Sequence, residues 1–263
     1  MEARPWQLLL DPPGSAAWNM SVDEALLECA AGGRPTLRLY TWDRPSLSLG
    51  YRQAPPAWLE RCEQLQIPVV RRISGGGAVL HAGDLTYATV APATAHELPV
   101  DLHGSYAWIR GVLLEGLRAA GLAVRPSRAE PGAERLGICF AGSTGLEIEL
   151  EQTKLVGSAQ RRTRWGFLQH GSIRLGGDAA LCEALWGEAP PWPPDLRTPE
   201  PETLCKSICD AFSAALGRPL ASATLAEPAL GVAQWRLAAR THDSLAVPPL
   251  SLRRIPTFAD TSA

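Results

Sequence analysis

Apolar residues recur along the 263-residue chain at two spacings, every second position and every third or fourth. Their alternation predicts a mixed α+β (α/β) domain. Residues 6–10 read as a strand that Pro12, Pro13 and Gly14 bring to an end. Ser21 followed by Glu24 matches a capping box and predicts a helix running to about Ala30. Val22, Ala25, Leu26 and Cys29 form its apolar face, and Gly32 and Gly33 its stop. Residues 36–42 alternate at period two, as a half-buried strand does, and 46–50 read as another strand. Residues 57–65 predict a helix with Trp58, Cys62 and Leu65 on one side.

Further on, 85–90 read as a strand. Ser105 is placed to cap a long helix whose face carries Ile109, Val112, Leu113, Leu117 and Ala120. Residues 146–150 alternate cleanly, which predicts an antiparallel strand with one wet face. Two more strands are expected at 154–161 and 167–175. The proline-dense stretch 189–201 cannot be regular. A helix follows at 202–216, with Leu204, Ile208, Phe212 and Ala215 at helical spacing. After Gly217 the pattern weakens, and the last dozen residues are expected to be disordered. The organisation is one domain over 1–217 and a partly irregular C-terminal extension over 218–263, without internal repeats.

Composition narrows the function. Hydrophobic residues make up 46% and charged residues 20%, enough for a real core, and the net charge of -2 argues against nucleic-acid binding. No stretch is apolar for long enough to span a membrane, and the first residues lack a signal pattern. A cytoplasmic protein is therefore expected. Six scattered cysteines then read mostly as buried thiols. Cys205 and Cys209 sit one turn apart with no second pair or nearby histidine, so packing suits them better than a metal. Arg71, Arg72, Arg161, Arg162 and Arg164 cluster locally, which predicts a positive pocket for a small anion or an acidic partner.

Three segments carry candidate chemistry. In Arg71-Arg72-Ile73-Ser74-Gly75-Gly76-Gly77-Ala78-Val79-Leu80-His81, consecutive glycines weaken any regular element but let a ligand approach the backbone. Alone it also fits a glycine-rich hairpin with incidental charges. In Lys154-Leu155-Val156-Gly157-Ser158-Ala159-Gln160-Arg161, a lysine at a strand start suits a carboxylate, a phosphate or developing negative charge, or simply solvent. Gln169, His170, Gly171 and Ser172 add a second histidine nearby. Cys139 falls in a glycine-rich loop. An exposed thiol near Lys or Arg is a competent nucleophile, though most cysteines are small buried apolar groups.

Together these motifs resemble the biotin- and lipoate-protein ligase (BPL/LPL) superfamily, in its lipoate-protein ligase A-like branch. Residues 71–81 are similar to R-R-x-[ST]-G-G-G-x-V-x-H, and 154–161 to K-x-x-G-x-A-Q-R; 19–27 and 40–50 match further family segments. The resemblance covers about residues 6–216 and implies a BPL/LPL catalytic domain, a largely antiparallel mixed sheet flanked by helices. Cys139-Phe140, Glu147, Lys154 and residues 168–173, with fifteen positions from Cys139 to Lys154, are most similar to cysteine-dependent octanoyltransferases of the LipM type. A tail too short for a ligase's accessory domain points the same way.

That resemblance implies an octanoyl group carried from octanoyl-acyl carrier protein, through a Cys139 thioester, to a lysine of a lipoyl domain. The expected acceptors are the lipoyl domains of 2-oxoacid dehydrogenases or the glycine cleavage H protein. Cys139 and Lys154 would be catalytic. Arg71, Arg72, Ser74, Gly75, Gly76, Gly77, His81, Gly157, Ser158, Ala159, Gln160, His170 and Gly171 would bind substrate. No metal, cofactor, nucleic acid or membrane is expected. ATP and Mg²⁺ would enter only if the chain were an ATP-dependent lipoate ligase. The same motifs also fit an amidotransferase between lipoyl domains, or a catalytically silent lipoyl-domain binder. The chain departs from the family pattern at Ala82, where an Asp is usual, at Gln152-Thr153 and at Ala88.

Overall fold

The fold was taken from a computed structural model, which describes residues 5–95, 97–128, 138–141, 145–192 and 198–250. Eight strands form one sheet. In chain order its elements are β1 (Gln7–Leu10), β2 (Thr36–Tyr40), β6 (Asp84–Pro92), β7 (Arg125–Pro126), β8 (Ile148–Leu150), β9 (Thr153–Arg162), β10 (Gly166–Arg174) and β11 (Ala221–Ala223). Their spatial order is β11-β1-β2-β6-β10-β9-β8-β7. β1 runs parallel to β2 and β11, and every other pairing is antiparallel. A second, three-stranded sheet sets β3 (Ser46–Leu49) between β4 (Val69–Arg71) and β5 (Val79–His81). The glycine run between β4 and β5 is therefore a crossing over β3, not a hairpin turn.

Helices cover both faces of the large sheet. On one side α3 (Leu102–Ala119) and α5 (Pro201–Leu216) pack Ile109, Leu113, Leu117, Ile208 and Phe212 onto Leu37, Leu39, Tyr87 and Phe167. On the other, α1 (Ala16–Glu28) packs Met20 and Leu27 against Tyr40, Ala88, Val90 and Leu168. Double coverage explains why β2 is buried at all five positions, where its alternation predicts one wet face. Arg38 is the charged member of that pattern. It reaches Asp23 Oδ1 at 2.7 Å and Asp11 Oδ2 at 2.7 Å. β8 differs in the same way: all three residues are buried, and Glu149 accepts from Ser127 Oγ at 2.6 Å.

Two helix starts lie upstream of those the sequence predicts. α1 begins at Ala16, where Ser15 Oγ accepts from the Trp18 amide, so Ser21 and Glu24 are interior and buried. Asp101 caps α3, and the Ser105 hydroxyl instead donates to the carbonyls of Asp101 and Leu102. α2 (Leu59–Gln64) buries Cys62 but leaves Leu65 exposed. α4 (Ala179–Trp186) lies where the sequence predicts no element. Its Leu185 packs into the core of the small sheet.

The chain beyond Gly217 is built into the same structure. β11 pairs with β1, and α6 (Ala229–His242) lays Ala233 against Val22 and Ala25 of α1. Arg236 and Arg240 of α6, both buried, reach Glu24 Oε2 at 2.9 Å and Glu24 Oε1 at 2.5 Å. No periodicity flags this helix because its partners are two arginines meeting a buried glutamate, and not an apolar stripe. The last dozen residues lie outside the described ones, as do residues 193–197 of the proline-dense stretch.

Candidate active site

Cys139 opens a short 3₁₀ turn, Cys139–Ala141, whose start is tied to the glycine crossing. The Cys139 amide donates to the Ala78 carbonyl at 2.8 Å, and Ile138 bridges to Ala78. Lys154, near the start of β9, comes up from the sheet to meet it. Its Nζ donates to the Cys139 carbonyl at 2.7 Å and lies 3.6 Å from Cys139 Sγ and 3.2 Å from Glu147 Oε1. Lys154 and Glu147 side chains are only 9% and 5% exposed, so this is a sheltered ion pair touching a thiol. Gly157 makes room for it. A Cβ there would stand 3.0 Å from Cys139 Sγ and 3.1 Å from Lys154 Cε.

A narrow pocket opens beside the thiol. Met20, Tyr40, Trp42, Val79, Cys139 and Ala159 are among the residues that line it, and its surface is mostly apolar. Two histidines close its walls, each held in a buried relay. His81 Nδ1 donates to Asp84 Oδ2 at 2.9 Å, and the Ser48 hydroxyl lies 2.9 Å from His81 Nε2. His170 Nδ1 lies 2.7 Å from Asp23 Oδ2, and its Nε2 2.5 Å from Ser74 Oγ. Burial alone would raise both carboxyls. At Asp84, His81 with Ser172 and Thr86 outweighs burial; at Asp23, His170 and Arg38 do so. Both groups sit below their ordinary values. The Trp42 ring stacks on His81 with centroids 3.7 Å apart, so the apolar wall and the relay are one unit.

The glycine crossing is shaped by its own arginines. Arg72, 5% exposed, donates to the carbonyls of Gly75 and Gly77 at 2.7 Å each and to that of Ser48 at 3.0 Å. Arg71 likewise donates to the carbonyls of Gly50 and Gln53. Gly76 has φ +90°, and a Cβ at Gly50 would fall 1.9 Å from the Gly76 carbonyl oxygen, so two backbones meet where only glycine fits. The expected positive pocket is therefore not made by these two arginines, whose donors are taken up by carbonyls. Arg162 is also committed, to Ser105 and Val100, and Arg164 lies over the Trp165 ring.

The remaining predicted residues fall as follows. Ser158 and Ala159 line the pocket, and Tyr87 OH lies 2.7 Å from Ser158 Oγ. Gly171 is packed so tightly that a Cβ would meet the Gly157 carbonyl at 2.6 Å. Gln160 reaches away from the thiol, to Gln169 and Ser105. Sequence reasoning does not place Asp23, Asp84, Ser48 or Trp42 at the site, and it reaches Glu147 only through the family resemblance. Glu147 lies in an alternating stretch that reads as solvated, and the two aspartates give no local signal. Burial pushes the other thiols up, Cys29 to about 12 and Cys209 to about 11, and Cys205 and Cys209 pack against the core.

Solved structures share this fold. A bi-partite lipoate protein ligase of Thermoplasma acidophilum superposes with a TM-score of 0.71 at 20% identity, over 96% of this chain and 98% of that one. A lipoate-protein ligase A bound with ATP gives 0.75 at 22%, over 89% and 95%. Residues 15–190 match the model for the lipoyl protein ligase A/B catalytic domain, and the chain belongs to that family. Relatives named octanoyltransferase LipM are more similar in sequence. That of Kyrpidia tusciae is 42% identical over 65% of this chain and 66% of its own length. That of Carboxydothermus hydrogenoformans is 39% identical over 64% of each. The match thus spans about two thirds of these relatives. Among the described residues, no helix is long and apolar enough to cross a membrane.

Proposed function

We propose that the protein is an octanoyl-acyl carrier protein:protein N-octanoyltransferase working through Cys139. The observation that carries this reading is the Lys154 ammonium, 3.6 Å from the Cys139 sulfur beside an apolar pocket. The relatives named octanoyltransferase support it.

Lys154, held by Glu147, offers a fixed positive charge to the sulfur, which attacks as thiolate. The sulfur bonds to the thioester carbonyl carbon, the donor's C–S bond breaks, and the released thiolate takes up a proton. The octanoyl chain then lies in the pocket as a Cys139 thioester. A lipoyl-domain lysine attacks as the free amine, a C–N bond forms, the Cys139 C–S bond breaks and the amine loses a proton. The amide formed is less reactive than either thioester, so transfer runs forward. A thioester donor already has its leaving group, so neither ATP nor a metal ion is required. A free acid would need adenylation first.

Intact-mass measurement with octanoyl-acyl carrier protein and no ATP tests this. A thiol-labile octanoyl adduct, absent in Cys139→Ala and passed on to an added lipoyl domain, is expected. Acceptor modification only with free octanoate or lipoate, ATP and Mg²⁺ would make the protein a ligase. An adduct formed from an octanoylated lipoyl protein but not from the carrier-protein thioester would make it an amidotransferase.

A further inference from the structure

On the far side of the glycine crossing lies a groove of about 490 Å³, lined by Tyr51, Arg52, Gln53, Gly75–Gly77, Gln160 and Arg161. Gly76 lines both this groove and the acyl pocket, so the two cavities adjoin across one residue. Among the described residues, no acidic side chain lines the groove. Arg52 and Arg161 are its cations, and neither is ion-paired among the described residues. Arg161 lies over the Tyr51 ring at 5.0 Å, and its Nε is buried without a hydrogen-bond partner. The Gly75 and Gly77 carbonyls are turned onto Arg72, so the Gly76 and Ala78 amides of the same trans peptide planes point away from it.

Guanidinium donors beside exposed glycine backbone suit an anion with several oxygens, and a phosphate above others. An acyl carrier protein donor brings one such group. Its thioester sits at the end of a pantetheine arm whose other end is a phosphate ester. We propose that the groove binds that phosphate, held by Arg52, Arg161 and the glycine amides, while the thioester lies at Cys139. This rests on the octanoyltransferase reading. It makes the groove a second point of donor recognition, separate from the acyl pocket. It also accounts for the local arginines: Arg71 and Arg72 build the crossing, and Arg52 and Arg161 use it.

Two synthetic donors separate the possibilities, octanoyl-4′-phosphopantetheine and octanoyl-pantetheine, which differ only in the phosphate. Acyl-enzyme formation on Cys139 is followed by intact mass, and kcat/KM is compared as a ratio between the donors. The wild-type protein is expected to favour the phosphorylated donor by about tenfold or more, the value of one charge-assisted contact. In Arg161→Ala and in the more exposed Arg52→Ala that ratio falls toward one, and Arg161→Lys recovers part of it. A ratio is read within each variant, so a general loss of activity cannot imitate the result. Equal use of both donors by the wild type, or an unchanged ratio in both alanine variants, overturns the groove while leaving the transferase intact. If the wild type forms no acyl-enzyme with either donor or with the carrier protein, the transferase reading fails and the groove proposal with it.

Discussion

The two glycine-bearing motifs have similar ingredients and opposite uses. In the crossing between β4 and β5, cations sit beside glycines, yet Arg71 and Arg72 point their donors into the protein's own backbone. In β9, Lys154 and Gly157 also pair a cation with a glycine, but the cation is turned toward a thiol and the glycine leaves room for it. A charged residue beside a glycine-rich turn is thus no evidence of a ligand site until its hydrogen bonds are counted. The first motif is architecture that frames a pocket; the second sets its cation and its glycine around the Cys139 thiol. Substitutions in the two should therefore fail differently, in stability for the first and in turnover for the second.

Cys139→Ser gives the largest effect expected. Serine preserves the volume of the side chain and the backbone tie to Ala78, so the melting temperature should change little. Acyl-enzyme formation should fall by more than about a thousandfold, since a hydroxyl beside an ammonium is not a thiolate. Single-turnover acylation beside thermal denaturation checks both. Gly157→Ala comes next. Its methyl would stand 3.0 Å from Cys139 Sγ and 3.1 Å from Lys154 Cε, so one of them must give by a fraction of an ångström, which lowers acylation roughly tenfold.

Arg72→Ala tests the other motif. Removing the guanidinium leaves the Gly75, Gly77 and Ser48 carbonyls without their donors, which should cost about 3 kcal/mol of stability. Urea denaturation measures it. A variant as stable as the wild type, but inactive, would show that Arg72 serves substrate and not the crossing. Glu147→Gln has a milder outcome. Glu147 holds Lys154 at 3.2 Å and does not line the acyl pocket, so kcat should fall about tenfold while KM for the donor stays put. A rise in KM alone would place Glu147 in binding.

How much of this was legible in the sequence follows the same division. The strands 6–10, 46–50, 154–161 and 167–175 and the helix 202–216 were readable because their apolar periods match a single buried face or a bounded run. The motif residues were found through their resemblance to a known family, since spacing alone left each of them a plain alternative, and the structure gathers Cys139, Gly157, His81 and His170 around one pocket with Lys154 beside the thiol. What could not be read were groups whose partners are distant along the chain. α6 is held by Arg236 and Arg240 on Glu24, more than two hundred positions away. Glu24 looked like a capping residue for the same reason: a carboxylate near a helix start serves as a cap or a buried ion pair according to its partner. Asp23 meets His170 across 147 positions, beyond any local pattern.

The smallest expected effect lies in the two relays, which both touch the glycine crossing, through His81 at its end and through Ser74 within it. Asp84 follows the glycine crossing and Asp23 reaches His170 on β10. Both carboxyls sit below their ordinary values, His81 and the Ser172 and Thr86 hydroxyls outweighing burial at the first, His170 and Arg38 at the second. In the unfolded chain each takes up its proton near about pH 4. Between that point and the lower folded value, the unfolded state binds more protons than the folded one. Stability therefore falls as pH drops through that window and is fully present above it. Urea midpoints taken at about pH 6 and about pH 3.5 read the loss directly. The wild type should lose more between them than Asp84→Asn, which has no proton to take up there. Equal losses would mean that Asp84 titrates alike in the folded and unfolded chains, and a smaller loss in the wild type would mean that it keeps its proton in the fold, with His81 positioned by the neutral hydroxyls and the Trp42 stack instead of a carboxylate.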